Sequence, residues 1–347
     1  MTTERPDLSQ IDPAIRAYVE SLEAEIERLR SDGDSPDESA APPEPSEPPT
    51  TLNLITLSAS GLAKRTPRHL YGRQRRGGMG IFDLETPDDD PPINLAIADE
   101  SATTILLTNH ARAFRFPLGK LPDSEVHVRG QSITADLKLN PDERIVVILP
   151  DVGRGYVALL SQSGFVRCVP GHLFGETLSP GTEMYNLERL GPLAAACWTP
   201  GSSDLFIATG AGLGIRFSEK QVSMQGGPGI RLESGDSAVA AASVKEDSGM
   251  FLLGADGKGT IRLMSGFSPN KSPGAGGKVA MKTDRLVSAV AVNQEDDLFI
   301  ISRLSKMIRF RANEVPAKEG VVQGVHCMSL RADETAAVTA STIIAPA

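Results

Sequence analysis

The sequence predicts an all-β fold, a six-bladed β-propeller, because a unit of about fifty residues recurs six times from residue 51 onward. Each unit contains a β-rich run, a turn of small residues, a second strand and then a basic residue. Stacking such units around an axis buries both faces of every blade and protects the strand edges. A set of stacked β-sandwiches is the alternative architecture. The six turn positions, separated by 45 to 53 residues, are Gly61, Ala111, Gly164, Gly212, Gly257 and Ser305.

A short N-terminal helix is predicted within residues 1–30. Asp12 can cap it and Pro13 suits its first position. A helix of this length is marginal alone, so the pattern favours self-association through residues 12–30. The alternative is a helix that folds back on the propeller or stays mostly unfolded. The apolar residues with coiled-coil spacing are Ile15, Val19, Leu22, Ile26 and Leu29.

A disordered linker is predicted over residues 31–50, before a propeller that spans residues 51–347. The linker holds six prolines, six acidic residues and no basic residue, a composition that cannot bury apolar area. Residues 1–50 carry the whole net charge of −9, because residues 51–347 contain 31 residues of each sign. We hypothesise that this acidic tail competes with phosphates for a basic patch on the propeller.

Several classes of site and location are disfavoured. The three cysteines lie far apart and form no CxxC pair, so we expect buried thiols and no metal site. The histidines fit no nucleophilic or metal-ligand pattern, and no cofactor is expected. The N-terminus lacks a signal-peptide layout, and the longest aliphatic run, residues 145–149, is too short to cross a bilayer. We therefore expect a cytoplasmic protein that makes no membrane contact.

The sharpest local excess of positive charge lies in residues 61–80, GLAKRTPRHLYGRQRRGGMG. It contains no acid. Arginine makes planar, bidentate phosphate contacts, and glycine lets a phosphate approach the backbone. These residues therefore suggest a phosphate-binding surface, which requires the segment to be exposed and not neutralised by carboxylates. A solvated basic loop with no ligand is the alternative. The six basic residues are Lys64, Arg65, Arg68, Arg73, Arg75 and Arg76.

The run QRRGGMG at residues 74–80 resembles the seven-residue QRRGGKG box of the C-terminal DNA-wrapping domain of DNA gyrase A. GLAKRTP at residues 61–67 is similar to a strand of that family, and later units repeat the pattern. The resemblance implies a propeller of the β-pinwheel type with duplex DNA bent around its rim. It implies that the box segment, residues 74–80, is central to DNA binding, including Gln74, Arg75, Arg76, Gly77 and Gly78.

The same resemblance extends the expected DNA track to one basic position in each unit. It also implies a nucleoid-associated protein that assists a gyrase or topoisomerase core. These basic positions could instead pair with acids of neighbouring blades. The positions that match are Lys64, Arg65, Arg115, Arg167, Arg216 and Arg309, with Arg262 matching if one insertion is allowed.

The chain departs from the family pattern in three respects. Met79 replaces the box lysine, and the body is neutral overall. The first fifty residues offer no place for a DNA-cleaving tyrosine, so we expect no enzyme, and at most a non-catalytic part of a type II topoisomerase system. A protein-interaction scaffold that has lost DNA wrapping is the alternative function.

Overall fold

A computed structural model describes residues 47–269 and 271–341, together with residue 19 alone. The chain divides into two units, 1–45 and 46–347, and the described strands belong to the second. Apart from residue 19, the predicted helix lies outside the described residues, as do its self-association and the linker as far as residue 46. The predicted domain boundaries at residues 30 and 50 stay predictions.

Six antiparallel sheets confirm the predicted six-bladed propeller. Blades are numbered here along the chain, and the strands of each from the central axis outward. The innermost strands of blades 1 to 6 are Pro92–Asp99, Ile145–Pro150, Leu193–Thr199, Ala238–Val244, Leu286–Val292 and Thr335–Ala340. The second strands are Leu52–Ser58, Thr103–Thr108, Tyr156–Ser161, Asp204–Thr209, Gly249–Gly254 and Asp297–Ser302. The third strands are Leu62–Pro67, Arg112–Pro117, Phe165–Pro170, Leu213–Ser218, Lys258–Leu263 and Lys306–Arg311.

The second and third strands of each blade form the hairpin that the repeat predicted. All six predicted turn positions have positive φ, including Ala111 at 57° and Ser305 at 61°. A left-handed residue at this place gives the turn the twist that joins two antiparallel strands. Four of the six positions are therefore glycine, which adopts this conformation at no steric cost.

The edge strand of each blade is supplied by the following blade. The chain leaves a third strand through a 3₁₀ turn, pairs with the outer edge of the preceding blade, and returns to form its own innermost strand. Blade 6 receives its edge strand from blade 1, which closes the ring. The edge strands of blades 1 to 6 are Gln131–Ser132, Thr182–Glu183, Gly227–Pro228, Lys278–Val279, Val325–His326 and Ile81–Phe82.

A few short elements complete the fold. Ala317–Lys318 pairs in parallel with the third strand of blade 5, and Leu84–Glu85 pairs in parallel with Val128–Arg129. A short α-helix, Leu187–Leu190, is capped by the Asn186 side chain, which accepts a hydrogen bond from the Arg189 amide. The 3₁₀ turns are Arg68–Leu70, Leu118–Lys120, Gly171–Phe174, Glu219–Gln221, Met264–Gly266 and Ala312–Glu314.

The apolar core lies between neighbouring blades. At the junction that closes the ring, Leu54 and Tyr71 of blade 1 pack with Phe299 and Ile301 of blade 6. The Tyr71 and Phe299 rings meet edge to face, with centroids 6.1 Å apart, a favoured aromatic geometry. Each blade therefore buries its faces only against its neighbours.

The innermost strands surround a central channel of about 1120 Å³ lined mainly by alanine and valine. Among the described residues, no cluster of His, Cys, Asp and Glu could hold a metal ion. The described part of the chain also contains no helix long and apolar enough to cross a membrane.

Candidate nucleic-acid interface

The box segment, residues 74–80, lies on the outer edge of the ring at the junction of blades 1 and 6. It runs against the third strand of blade 6 and against the blade 6 segment that crosses onto blade 5, before Ile81–Phe82 pairs with Lys306–Arg311. The Gln74 amide donates to the Arg309 carbonyl (2.7 Å), and the Gly77 amide donates to the Cys327 carbonyl (2.9 Å). The segment that resembles a DNA-binding motif is thus also the segment that closes the ring.

The glycines of the box follow from this backbone path. Gly77 and Gly80 have φ of +86° and +73°, a region that other residues rarely adopt. A Cβ atom at Gly80 would lie 2.7 Å from the Met307 carbonyl oxygen. Gly78 is in a tight turn in which its amide donates to the Arg75 carbonyl (3.2 Å). Positive φ at Gly77, the tight turn at Gly78 and close backbone approach to blade 6 at Gly80 therefore account for the glycines without any ligand.

The three arginines around the box have different environments. Arg73 forms an ion pair with Asp297 (2.8 Å). Arg76 donates from Nε to the Glu314 carbonyl (3.1 Å) and from Nη1 to the His326 carbonyl (2.8 Å). The Arg75 side chain is exposed and has no hydrogen bond or ion pair with the described residues. Arg75 is therefore the box cation best placed to meet a phosphate.

Lys64 lies inside the wall of the ring. Its side chain is 1% exposed, and its ammonium group lies 2.7 Å from a carboxylate oxygen of Asp83. Asp83 also accepts hydrogen bonds from the hydroxyls of Tyr71 (2.5 Å) and Thr56 (2.6 Å). Burial lowers the pKa of Lys64, and the nearby Asp83 carboxylate opposes that change. Burial, reinforced by Asp83, raises the pKa of Tyr71. We call Thr56, Lys64, Tyr71 and Asp83 the Asp83 cluster.

The arginines on the third strands mostly connect one blade to the next through side-chain hydrogen bonds. Five of these arginines each donate a hydrogen bond to a carbonyl within or just after the 3₁₀ turn of the following blade. These clasp arginines are Arg65, Arg115, Arg167, Arg216 and Arg309. The accepting residues, in the same order, are Leu121, Phe174, Met224, Met264, and finally Arg68 with Tyr71. The last of these clasps connects blade 6 to blade 1.

Most of these clasp arginines are also neutralised. Their carboxylate partners are Asp123 for Arg65, Asp151 for Arg115, Asp204 and Glu246 for Arg216, and Asp297 and Glu47 for Arg309. These contacts favour the alternative that repeated arginines pair with acids. Burial argues against direct DNA contact by Lys64, Arg65, Arg216 and Arg309, which are all less than 10% exposed. A DNA-binding role for Arg115, Arg167 and the box residues stays a prediction.

The last residues of the acidic linker reach this junction. Glu47 pairs with Arg68 and Arg309. Burial acts to raise the pKa of Glu47, but its hydrogen bonds and ion pairs with Arg309 and Arg68 lower it overall. Arg68, predicted to bind DNA, therefore has a carboxylate of this chain as its partner.

The carboxylates that neutralise the basic segment are not evident from the sequence alone. Asp297 lies far from Arg73 along the chain, and no periodic pattern connects the two residues. A weak signal was present, because the second strands of blades 4 and 6 both begin with Asp-Leu-Phe-Ile, at Asp204 and Asp297. Each of these aspartates pairs with the clasp arginine of its own blade.

Comparison with known proteins identifies relatives of this ring. A family model described as DNA gyrase C-terminal domain, beta-propeller, matches residues 52–91, 104–150, 203–245 and 296–337. The DNA gyrase A protein of Mycobacterium leprae is 26% identical over 296 residues, which are 81% of this chain and 23% of that protein. The DNA gyrase A protein of Klebsiella oxytoca is 28% identical over 293 residues, 81% of this chain and 33% of that protein.

A solved structure of a DNA gyrase A C-terminal domain has the same fold. It superposes with a TM-score of 0.75 at 22% sequence identity, covering 83% of this chain and 99% of that one. The chain thus spans between 23% and 33% of the length of the two gyrase proteins above.

Proposed function

Because the chain belongs to the DNA gyrase C-terminal β-propeller family, we propose that its ring binds duplex DNA along the rim and bends it. The observation that carries the proposal is the position of Arg75. Its guanidinium group is exposed on the outer edge of the ring, within the box segment, and has no partner among the described residues. A rigid turn presents it, since Gly78 and Gln74 are fixed by backbone hydrogen bonds on both sides.

Binding of this kind depends on the phosphate backbone rather than on the base sequence. Each phosphate neutralised by a cation releases counterions, so affinity falls steeply as salt rises. Bending a duplex around a ring costs on the order of several kcal/mol, so contacts must continue over several blades. Deformable sequences are therefore expected to bind better.

Equilibrium binding of a random-sequence duplex at several salt concentrations tests the proposal. Arg75→Ala should weaken binding and reduce the slope of log K against log salt by about one unit, because one phosphate contact is lost. Arg144→Ala removes an exposed charge outside the box and is the matched control. Absence of any DNA binding by the wild-type protein at low salt would refute the proposal.

Bending is tested separately by ligating a nicked plasmid in the presence of the protein. A change of linking number that depends on Arg75 indicates wrapping, whereas binding without such a change indicates an unbent complex. The proposed activity would place the protein on the cytoplasmic nucleoid, beside a topoisomerase core that it assists. Co-purification of the full chain with gyrase proteins tests that partnership.

A second candidate, a protein-interaction scaffold, is favoured by the apolar surface beside Arg75. Met79 and Phe82 are each 52% exposed, and Ile81 is 41% exposed. Met79→Lys restores the cation of the family box and separates the two functions. It should strengthen DNA binding if the rim binds DNA, and weaken partner binding if the apolar surface is the docking site.

A further inference from the structure

A second segment of the ring repeats the backbone of the box. In the box, the Gly78 amide donates to the Arg75 carbonyl (3.2 Å); in residues 271–277, the Ala275 amide donates to the Ser272 carbonyl (3.1 Å). Gly274 has φ of +81°, close to the +86° of Gly77. Both segments lead directly into an edge strand, on blade 6 for the box and on blade 4 for residues 271–277.

The external contacts of the two turns also correspond. The Gly78 carbonyl accepts a hydrogen bond from the Ser329 amide (2.9 Å), and the Ala275 carbonyl accepts one from the Arg231 amide (3.0 Å). The two segments therefore occupy equivalent places on their blades. Because the blades are repeats around one ring, the segments present the same face of the rim two blades apart.

The second segment is surrounded by cations. The Lys271 ammonium donates to the Gly276 carbonyl (2.6 Å), and the Lys278 ammonium donates to the Ser268 carbonyl (3.1 Å). Arg231 is exposed, and its side chain forms no hydrogen bond or ion pair within residues 47–269 and 271–341. Its guanidinium lies over the backbone, since a Cβ atom at Gly276 would be 3.4 Å from Arg231 Nη2.

A buried arginine behind this segment has no counter-ion within residues 47–269 and 271–341. Arg262 is 6% exposed, and its Nε and Nη1 atoms have no hydrogen-bond partner among the described residues. It differs from the five clasp arginines, because its one hydrogen bond to a described residue is with the Gly266 carbonyl of its own blade (3.5 Å). Phe267 lies beneath two cations, with its ring centre 5.6 Å from Arg262 Cζ and 4.5 Å from Lys278 Nζ.

The positive charges at this place repel one another. Burial lowers the pKa of Lys278, and the charges of Lys271, Arg262 and Arg216 lower it further. Burial also lowers the pKa of Arg262. A buried charge without a partner is costly, and an anion at the surface above it would offset that cost.

We propose that residues 271–278, together with Arg231, form a second phosphate-binding site on the rim, built on the same turn as the box. Lys271, Lys278 and Arg231 contact the phosphate directly. Arg262 contributes through its electric field, because its nitrogen atoms are covered. The ligand group is a phosphodiester of the duplex held at the box, an assignment that rests on the proposed function. A free pyrophosphate offers the same chemistry, and the test distinguishes the two sources.

The test compares the full chain with the triple variant Arg231→Ala, Lys271→Ala and Lys278→Ala. On a duplex long enough to reach both segments, the triple variant should reduce the slope of log K against log salt by roughly two to three units, about 0.9 for each contact. On a duplex of about 12 base pairs, about 40 Å long, the effect should be smaller, because a short duplex can occupy the box alone. The control variant removes three exposed charges elsewhere, Lys138→Ala, Arg144→Ala and Lys245→Ala.

A second arm measures the thermal unfolding of both proteins with millimolar inorganic pyrophosphate. An anion that binds the folded state raises the midpoint, and the triple variant should lose that increase. Loss of this increase with an unchanged DNA slope would keep the phosphate site and assign it to a small anion. Arg231→Gln alone, which disturbs no side-chain contact, should lower the long-duplex slope by about one unit.

The outcomes separate this inference from the proposed function. If the wild-type protein binds no DNA, the proposed function fails and the pyrophosphate arm alone decides the site. If Arg75→Ala weakens DNA binding while the triple variant changes neither arm, the proposed function stands and the second site is refuted. An equal change of slope in the control variant would also refute it, because net charge would then explain the effect.

Discussion

Removal of the Asp83 carboxylate should strongly destabilise the ring, because the side chains of Lys64, Tyr71 and Thr56 all depend on it. Asp83→Ala leaves the Lys64 ammonium buried without a counter-ion and the hydroxyls of Thr56 and Tyr71 without their acceptor. Breaking a buried ion pair costs about 3–5 kcal/mol, and each unsatisfied hydroxyl adds about 1 kcal/mol or more. The expected loss of about 5–7 kcal/mol is comparable to the whole stability of many domains.

The milder change Asp83→Asn keeps a hydrogen-bond acceptor and should cost about 3 kcal/mol. Lys64→Met should cost less than Asp83→Asn, because Asp83 would keep two hydroxyl donors, whereas Lys64 would lose its counter-ion and keep only neutral acceptors such as the Glu125 carbonyl. The double variant Lys64→Met/Asp83→Asn should lose about 2 kcal/mol less stability than the sum of the two single losses. Denaturant unfolding, followed by the fluorescence of Trp198, the single tryptophan, gives the free energy of unfolding of the wild-type protein, these two single variants and the double variant. A coupling energy near zero would contradict the assignment of Lys64 and Asp83 as a structural pair.

Three further predictions concern other buried or paired groups. Arg216→Met should cost about 3–5 kcal/mol of stability, because it leaves Asp204 without its buried partner. Arg262→Met should be neutral or stabilising, because it removes an uncompensated charge. The unfolding midpoints of the two variants check this contrast. Burial acts to raise the pKa of Glu143, but hydrogen bonds from Thr108, Asn140 and Arg112 lower it overall. The Glu143 carboxylate therefore stabilises the fold above pH 4.5, and this stabilisation is lost as pH falls below that value. Glu143→Gln should therefore flatten the dependence of the unfolding midpoint on pH in this acid range. Burial raises the pKa of all three thiols to about 12, so a thiol reagent at neutral pH should modify them only after denaturation.

The hairpins were predictable because each one carries a local signal. A β-rich run, a residue suited to positive φ and a basic residue recur together, and the turn positions Ala111 and Ser305 adopt positive φ even without glycine. The exchange of edge strands was not predictable in the same way. A strand of two residues, such as Ile81–Phe82, is too short to show a periodic pattern. A glycine does precede every edge strand, as Gly80 precedes Ile81, and this recurrence could have indicated the crossings.

The box illustrates why site residues were harder to predict than blades. Its composition correctly indicated a special backbone, but the roles of Arg73, Arg75 and Arg76 depend on distant residues. Asp297 and Glu314 approach from blade 6 only because the ring closes there. Local charge in the sequence therefore overstated the number of cations available to a ligand.

Because the following blade supplies the edge strand of every blade, no single blade can be removed without disrupting its neighbour. Removing any one blade would leave its neighbour without an outer strand and would also displace the segment that crosses it. Blades of a linear repeat protein can be added or lost nearly independently, whereas here each deletion should damage two junctions at once. The number of blades is therefore expected to resist change by duplication or truncation, and variation should accumulate in the exposed turns instead.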